Sequence, residues 1–287
     1  MIAKKKNNML NFKPKEYEKK HLALVHNSKN YDLAILNKFE SHTFLQQNKA
    51  ALMDRVDSKF VLPITLFTPL MTAISEDYSI LSVYGRKNFN YQTTYFDNKE
   101  RQFYLDHHNG KLNRYKVRYR RYVESDMGYM EIKFKNNKKR TIKKRIPMNS
   151  ISQDQSSVNE FVKKTLGYFI NLETALFVNY QRITLLSKSN LERITIDLNL
   201  SFHNENNHNK SIQDKIFIVE VKQERKPYPS TCREFIRTKG IKDTDFSKYC
   251  MGTILTNNIS SESNPLKANR FKSIIKKLEK INQLHKI

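Results

Sequence analysis

Polar and apolar residues alternate with a period of two in five stretches of the chain. A strand turns successive side chains to opposite faces, so each stretch is predicted to be a strand with one charged face. Lys116, Arg118 and Arg120 share a face, opposed by Val117, Tyr119 and Val123, with Arg121 an exception on the apolar side. Glu131, Lys133 and Lys135 oppose Met130, Ile132 and Phe134. Arg193, Thr195 and Asp197 oppose Ile194, Ile196 and Leu198, and Glu220 and Lys222 oppose Val219 and Val221. Arg55, Asp57 and Lys59 stand against Val56 and Phe60.

These strands lie among further elements. Leu81 to Ile146 is strand-rich, with a β-branched and aromatic run Tyr91–Phe96 and a hairpin of Arg114–Val123 and Tyr129–Lys135. Further strands are predicted over Val178–Leu185, Glu192–Leu200 and Lys215–Gln223, and Asn109-Gly110 marks a turn. Helical spacing begins with Leu33, Leu36, Phe39, Phe44 and Leu45. Pro63 is placed to open a helix through Leu66, Leu70 and Ile74, although Pro69 lies inside it. Ser157-Val158-Asn159-Glu160 has the form of a capping box ahead of Val158, Phe161, Val162 and Leu166. Ser230 is placed to cap a short helix ending near Gly240. Asn264-Pro265 opens a last helix, whose stripe Phe271, Ile274, Ile275, Leu278 and Ile281 is that of core packing. The resulting division is a polar tail over 1–30, a strand-rich domain over 31–252, and a linker with an amphipathic helix over 253–287 that packs on the domain. No solenoid repeat is present.

A half-wet antiparallel sheet also alternates, but its outer face usually mixes neutral and charged residues. Here Lys and Arg dominate, with single carboxylates recurring. Like charges opposed across strands destabilise a sheet unless an anion lies between them. The whole chain agrees: 52 Lys and Arg stand against 28 Asp and Glu in 287 residues, a net charge of +24. Six glycines leave no room for a long Gly-rich phosphate loop, and two cysteines, Cys232 and Cys250, exclude a disulfide framework or a Cys-rich zinc site. No apolar run approaches the roughly 20 residues that span a bilayer, and Met1–Asn11 is not a signal peptide, so a cytoplasmic protein is expected. An open sheet would offer a flat basic surface to nucleic acid. A closed one would turn the charged face inward and leave the apolar face for the helices. The helices favour closure. The predicted fold is α+β, a closed antiparallel β-barrel of about eight strands with helices packed outside. Its basic tunnel suits a thin anionic polymer and excludes duplex nucleic acid.

Arg55-Val56-Asp57-Ser58-Lys59-Phe60, Tyr95-Phe96-Asp97, His107-His108-Asn109-Gly110-Lys111-Leu112-Asn113-Arg114 and Lys116-Val117-Arg118-Tyr119-Arg120 open a longer series of motifs. The series continues with Glu131-Ile132-Lys133-Phe134-Lys135, Glu192-Arg193-Ile194-Thr195-Ile196-Asp197, Glu220-Val221-Lys222-Gln223 and Phe246-Ser247-Lys248-Tyr249. Together, from about Leu33 to Gly252, these resemble a bacterial VTC (vacuolar transporter chaperone) domain, the polyphosphate polymerase branch of the triphosphate tunnel metalloenzymes, CYTH-like proteins.

The resemblance implies transfer of the terminal phosphoryl group of ATP to a growing inorganic polyphosphate chain or pyrophosphate primer, with a divalent metal, Mn2+ or Mg2+. It implies that Lys59, Arg118, Arg120, Lys133, Arg182, Arg193 and Lys248 bind phosphates, that Glu220 holds the metal, and that Tyr180 sits near the nucleotide base, with Lys222 beside the cofactor. The wider superfamily has Glu-x-Glu-x-Lys in its first strand, whereas Arg55 and Asp57 stand at those acidic positions here. Asp57 is therefore either a second metal ligand or the partner that orients Lys59. The alternatives are a tunnel triphosphatase or short-chain polyphosphatase, and a non-catalytic module for polyphosphate or RNA. Few aromatic residues are expected on the basic faces, which disfavours a reader of single strands, though Tyr119 and Tyr122 leave it open. His107 and His108, beside a turn, are expected to be structural or surface residues. Oligomeric state is left open.

Overall fold

The computed structural model describes Leu10 and residues 31–49, 55–138, 140–148, 155–204, 210–225, 228–257 and 266–284. Its strands are Ser41–His42 (β1), Arg55–Pro63 (β2), Tyr78–Leu81 (β3), Phe89–Asp97 (β4), Arg114–Tyr122 (β5), Met127–Lys135 (β6), Thr141–Met148 (β7), Glu173–Ser187 (β8), Arg193–His203 (β9), Lys210–Gln213 (β10) and Ile216–Glu224 (β11). Its α-helices are Phe44–Lys49 (α1), Phe67–Ile74 (α2), Gln102–His108 (α3), Gln155–Leu166 (α4), Thr231–Thr238 (α5), Lys248–Asn257 (α6) and Lys272–Leu284 (α7). The strands form one sheet with the path β2-β11-β9-β8-β4-β5-β6-β7, antiparallel throughout. Off this path, β10 joins β9, β3 joins β8, and β1 pairs in parallel with β3.

The sheet is open, which corrects the closed barrel expected from the sequence. No register joins β2 to β7, the two ends of the path. The free edge of β2 is used otherwise: Thr244 N donates to the Lys59 carbonyl at 2.7 Å, so a loop after α5 occupies the position a closing strand would need. At the other end, Thr141 to Arg145 of β7 are exposed, and the lysines and arginine there give an edge that resists pairing.

The sheet nevertheless curls strongly. β11 and β6 are five strands apart in the path, about 24 Å in a flat sheet at the usual spacing. Yet the Glu220 carboxylate on β11 acts on the Lys133 ammonium on β6, and Lys59 on β2 acts on Lys116 on β5. The charged faces of the strands thus look at one another across a concavity.

The convex face carries the apolar halves of the strands, and helices cover it. Val117, Met130 and Ile132 share a cluster with Phe103 and Val162 from α3 and α4. Leu176, Val178 and Phe202 belong to the same cluster, but register puts them on the face of Tyr95 and Tyr180, where α6 packs through Tyr249 on Tyr95. Ile183, Ile194, Ile196, Val219 and Val221 pack with Phe67, Leu70, Ile74 and Ile236 from α2 and α5. Burying these two clusters is what opposes the repulsion among the concave-face cations.

Local signals fared unevenly. Ser230 caps α5, its Oγ accepting from Arg233 N at 3.2 Å, and Gly240 follows with a φ of +66°. Pro63 ends β2 and precedes a 3-10 turn, Ile64–Leu66; Pro69 is tolerated in the first turn of α2, where amides lack helical partners. Ser157 lies inside α4, so the capping-box pattern does not mark the helix start. Asn109 and Gly110 form the expected turn, at the end of α3, with Gly110 at a φ of +70°. The stretch 33–49 splits into a 3-10 helix, β1 and α1, because β1 is drawn into the sheet by β3. Arg121, the exception on the apolar face, pairs with Asp126 at 2.7 Å. Asn264-Pro265 and, apart from Leu10, the tail over 1–30 lie outside the described residues.

Asp97, at the end of β4, ties two helices to the sheet. It accepts from Phe103 N at 2.9 Å and Tyr104 N at 3.0 Å in α3, and from the Tyr249 hydroxyl of α6. Asp97→Ala leaves these donors buried and unpaired and is expected to lower stability by about 3 kcal/mol, measured by urea unfolding.

Candidate functional site

Strand register fixes which side chains share the concavity. Glu220 stands opposite Lys59 of β2 and Thr195 of β9, and Lys222 opposite Asp57 and Arg193. Asp197 faces Arg182 of β8, and Tyr91 of β4 lies between Tyr180 and Tyr122. Tyr95 and Thr93 face Arg118 and Arg120, which face Glu131 and Tyr129 of β6. Lys116 faces Lys133, which faces Lys143 of β7. One row of charged and hydroxylic side chains therefore crosses all eight strands of the path.

Three carboxylates each hold two cations. Glu131 accepts from Arg118 Nε at 2.8 Å and Nη2 at 2.6 Å, and also pairs with Lys143. Asp197 accepts from Arg182 Nε at 2.6 Å and Nη2 at 2.8 Å, and from Lys248 at the start of α6. Glu220 pairs with Lys222 and, at 3.6 Å, with Lys59. Burial opposes the ionisation of all three, but the adjacent cations prevail and hold each carboxyl below its usual range. None of them is poised to take up a proton near neutral pH.

The remaining cations lack such balance. Lys133 has no ion-pair partner within 4 Å among the described residues, and Arg118, burial and Arg120 together push its ammonium well below the usual lysine range. Burial likewise lowers Lys116, whose Nζ donates to Ser247 Oγ at 2.9 Å. Arg120 Nε is buried without a hydrogen-bond partner among the described residues, and so are the hydroxyls of Thr93, Thr195 and Tyr180. Buried donors are nearly always satisfied. Four unsatisfied groups on one face, beside surplus positive charge, suit an anion with several oxygens.

Aromatic rings line the same concavity. Tyr91 stacks on Tyr180 with centroids 5.2 Å apart, Arg182 lies over both rings, and Lys248 lies over Tyr180 at 4.6 Å. Tyr122 and Tyr129 continue the row, with Arg145 over Tyr129. Aromatic residues are thus more numerous on this face than expected; Tyr122 joins the row, whereas Tyr119, opposite Met130, lies on the apolar face. The Tyr95 hydroxyl accepts from Arg118 Nη1 at 3.3 Å; burial would raise its pKa, but Arg118, Arg120 and Lys116 lower it.

Arg118, Arg120, Lys133, Arg182, Lys248, Tyr180, Glu220, Lys222 and Lys59, all singled out in the sequence, come together here. Arg193 lies on the same face beside Lys222, while Asp57 is exposed at the end of β2. Sequence reasoning named Lys116, Glu131 and Asp197 only as face members and passed over Tyr91, Tyr95 and Lys143. Parity along the strand marks Lys143 as a face member, whereas Tyr91 and Tyr95 are recognised only through Tyr180 and Arg118 on the neighbouring strands. His107 and His108 are buried in α3 against Phe271, and Lys116 of the row acts on His107.

Among the described residues no three His, Cys, Asp or Glu side chains converge to hold a metal. Glu220 is the carboxylate best suited to one, because its partners are lysines, which withdraw more readily than a bidentate arginine. The donor set fits a hard cation that arrives with phosphate oxygens, not a metal bound by the protein alone.

The sequence profile of the VTC domain matches residues 54–257. No curated protein matches the chain. A candidate adenylyl cyclase from Hippeastrum with a dominant triphosphatase activity has a similar structure at 12% identity, covering 70% of this chain and 95% of its own, with a TM-score of 0.43. A candidate adenylate cyclase from Vibrio parahaemolyticus is similar at 9% identity, 68% and 94% coverage and a TM-score of 0.40. A Pyrococcus horikoshii protein gives 12% identity, 68% and 94% coverage and 0.40. Among the described residues no helix is long and apolar enough to cross a membrane.

Lys133 generates a stability prediction with a definite sign. Its folded pKa lies below its unfolded one, so the unfolded chain holds the proton more tightly, and stability rises with pH between the two values. Lys133→Met removes the crowded ammonium. It is expected to raise the thermal midpoint at neutral pH, by about 2–4 °C per kcal/mol relieved, and to flatten the pH dependence of melting above neutrality.

Proposed function

Because this chain belongs to the VTC domain family, we propose that it is a metal-dependent phosphotransferase that moves the terminal phosphoryl group of ATP onto a growing inorganic polyphosphate chain. The observation that carries this reading is the concave face itself, with buried donors and surplus cations that no acceptor among the described residues satisfies. Phosphoryl transfer needs positioning and neutralisation of charge more than covalent chemistry.

Each residue then has a part. Arg118, fixed by Glu131 and Tyr95, presents its remaining donor edge in a set orientation. Arg120 and Lys133 take phosphate oxygens that the protein does not supply, with Lys59, Arg182, Arg193 and Lys248 extending the path. Tyr180, backed by Tyr91, lies where a nucleotide base stacks. Glu220, with Asp57 on the neighbouring strand, holds Mn2+ or Mg2+, and Lys222 orients Glu220. When bound, the metal supplies charge neutralisation at the phosphate oxygens.

Chain growth is favoured over hydrolysis by the state of the carboxylates. Hydrolysis requires a water to lose a proton, and a base tuned near neutrality serves that step. Glu131, Asp197 and Glu220 are all held ionised by cations and are weak bases. A phosphate acceptor is already anionic and needs no base.

Incubation with ATP, Mn2+ and a pyrophosphate primer, with chain length and free phosphate both measured, tests the proposal. Chains longer than the primer are expected. Free phosphate without growth would select the triphosphatase reading, and salt-sensitive binding without turnover a polyanion-binding module. Glu220→Ala and Arg120→Ala are each expected to reduce the rate by about 10²–10³-fold, as for loss of a preorganised transition-state contact.

A further inference from the structure

The loop that blocks closure of the sheet also enters the site. Thr244 N is bonded to the Lys59 carbonyl on β2. Phe246 is buried in the larger apolar cluster. Ser247 Oγ accepts from Lys116 Nζ on β5, and Lys248 pairs with Asp197 on β9 and covers the Tyr180 ring on β8. Four strands of the concave face thus meet within residues 244–248. Asp245, in the middle, turns outward: its Oδ2 accepts from Arg270 Nη2 at 3.2 Å and lies 3.8 Å from His107 Nε2.

Arg270 belongs to a segment beyond the family match, which ends at residue 257. That segment is anchored independently of Asp245. Phe271, Ile274, Leu278 and Ile281 are buried in the core, and the Tyr104 hydroxyl donates to the Lys267 carbonyl at 2.5 Å. Phe271 packs on the rings of His107 and His108. Arg270 lies so close over Gly110 that a Cβ there would stand 2.8 Å from Nη1, so its guanidinium has a defined seat. Half-exposed ion pairs contribute little to stability, so the pair's energy does not account for the arrangement. What it does fix is the place of Asp245, and with it the two residues that follow.

We propose that Arg270 and Asp245 are positioning residues: the C-terminal segment acts through them as a latch that holds Ser247 and Lys248 against Lys116 and Asp197 in the phosphate-binding face. This rests on the phosphate reading of that face. The latch lets the docked C-terminal segment set the affinity of the site without touching the substrate.

The test uses the full-length chain, titrated calorimetrically with inorganic tripolyphosphate, and hydrogen exchange at the amides of 244–251. Arg270→Ala is expected to bind about tenfold more weakly, within the usual range for coupled sites, with a thermal midpoint close to that of the wild type. Arg270→Lys, which keeps a cation for Asp245, should recover most of the affinity. Asp245→Asn should weaken binding similarly, and the double variant no further. The Thr244 and Met251 amides, bonded to Lys59 O and Ser247 O, should exchange faster in Arg270→Ala. Binding within twofold of the wild type in Arg270→Ala overturns the proposal. If the wild type itself binds no tripolyphosphate, the phosphate reading fails, and exchange alone decides the latch: faster exchange supports it and unchanged exchange overturns it.

Discussion

The repulsion among cations gathered on one curled face is the constraint that the rest of this structure answers. Three carboxylates are spaced across that face, on β6, β9 and β11, and each is clamped between two cations. This arrangement offsets much of the charge but leaves Lys116, Arg120 and Lys133 without a carboxylate within ion-pair distance among the described residues. The fold therefore holds a local excess of positive charge that its own side chains do not cancel. Sites that bind anions accept such a cost because the ligand removes it.

The stability to sustain this comes from the other side of the same strands. Period-two alternation sends every second residue to the convex face, where α2 and α5 cover one half and α3 and α4 pack on the other, while α6 packs on the concave side through Tyr249 and Lys248. Asp97 and Tyr249 join the helices to β4, and Tyr95, two residues before Asp97, stacks on Tyr249 and reaches Arg118. Packing outside and charge inside are thus connected through single residues. The loop at 244–248 completes the connection, since it seals the β2 edge, buries Phe246 and delivers Lys248.

Much of the site was legible in the sequence, because parity along a strand is a local property. Lys116, Arg118 and Arg120 share a face whatever the sheet does around them. The aromatic members were missed for a related reason: Tyr91 and Tyr95 look like core residues until their neighbours across the strand, Tyr180 and Arg118, are known. Local motifs that compete with packing were less dependable. Ser157 has a capping-box neighbour at Glu160, yet α4 begins before it. Ser230 caps as expected because its own backbone is extended, which lets its Oγ reach the Arg233 amide.

By itself, the sequence established the long strands that carry the site, their charged and apolar faces and the surplus of positive charge on one of them, since these follow from residue order. It did not determine whether the sheet closes. Closure depends on what reaches the two terminal edges, and that is a contact between residues far apart in the chain: Thr244 meets Lys59 and occupies the β2 edge. Nor could it show that each carboxylate clamps two cations, or that a helix at the C-terminus reaches the site through Asp245. Those pairings cross strands and helices separated by tens of residues, and only the curl of the sheet brings them within a few ångströms.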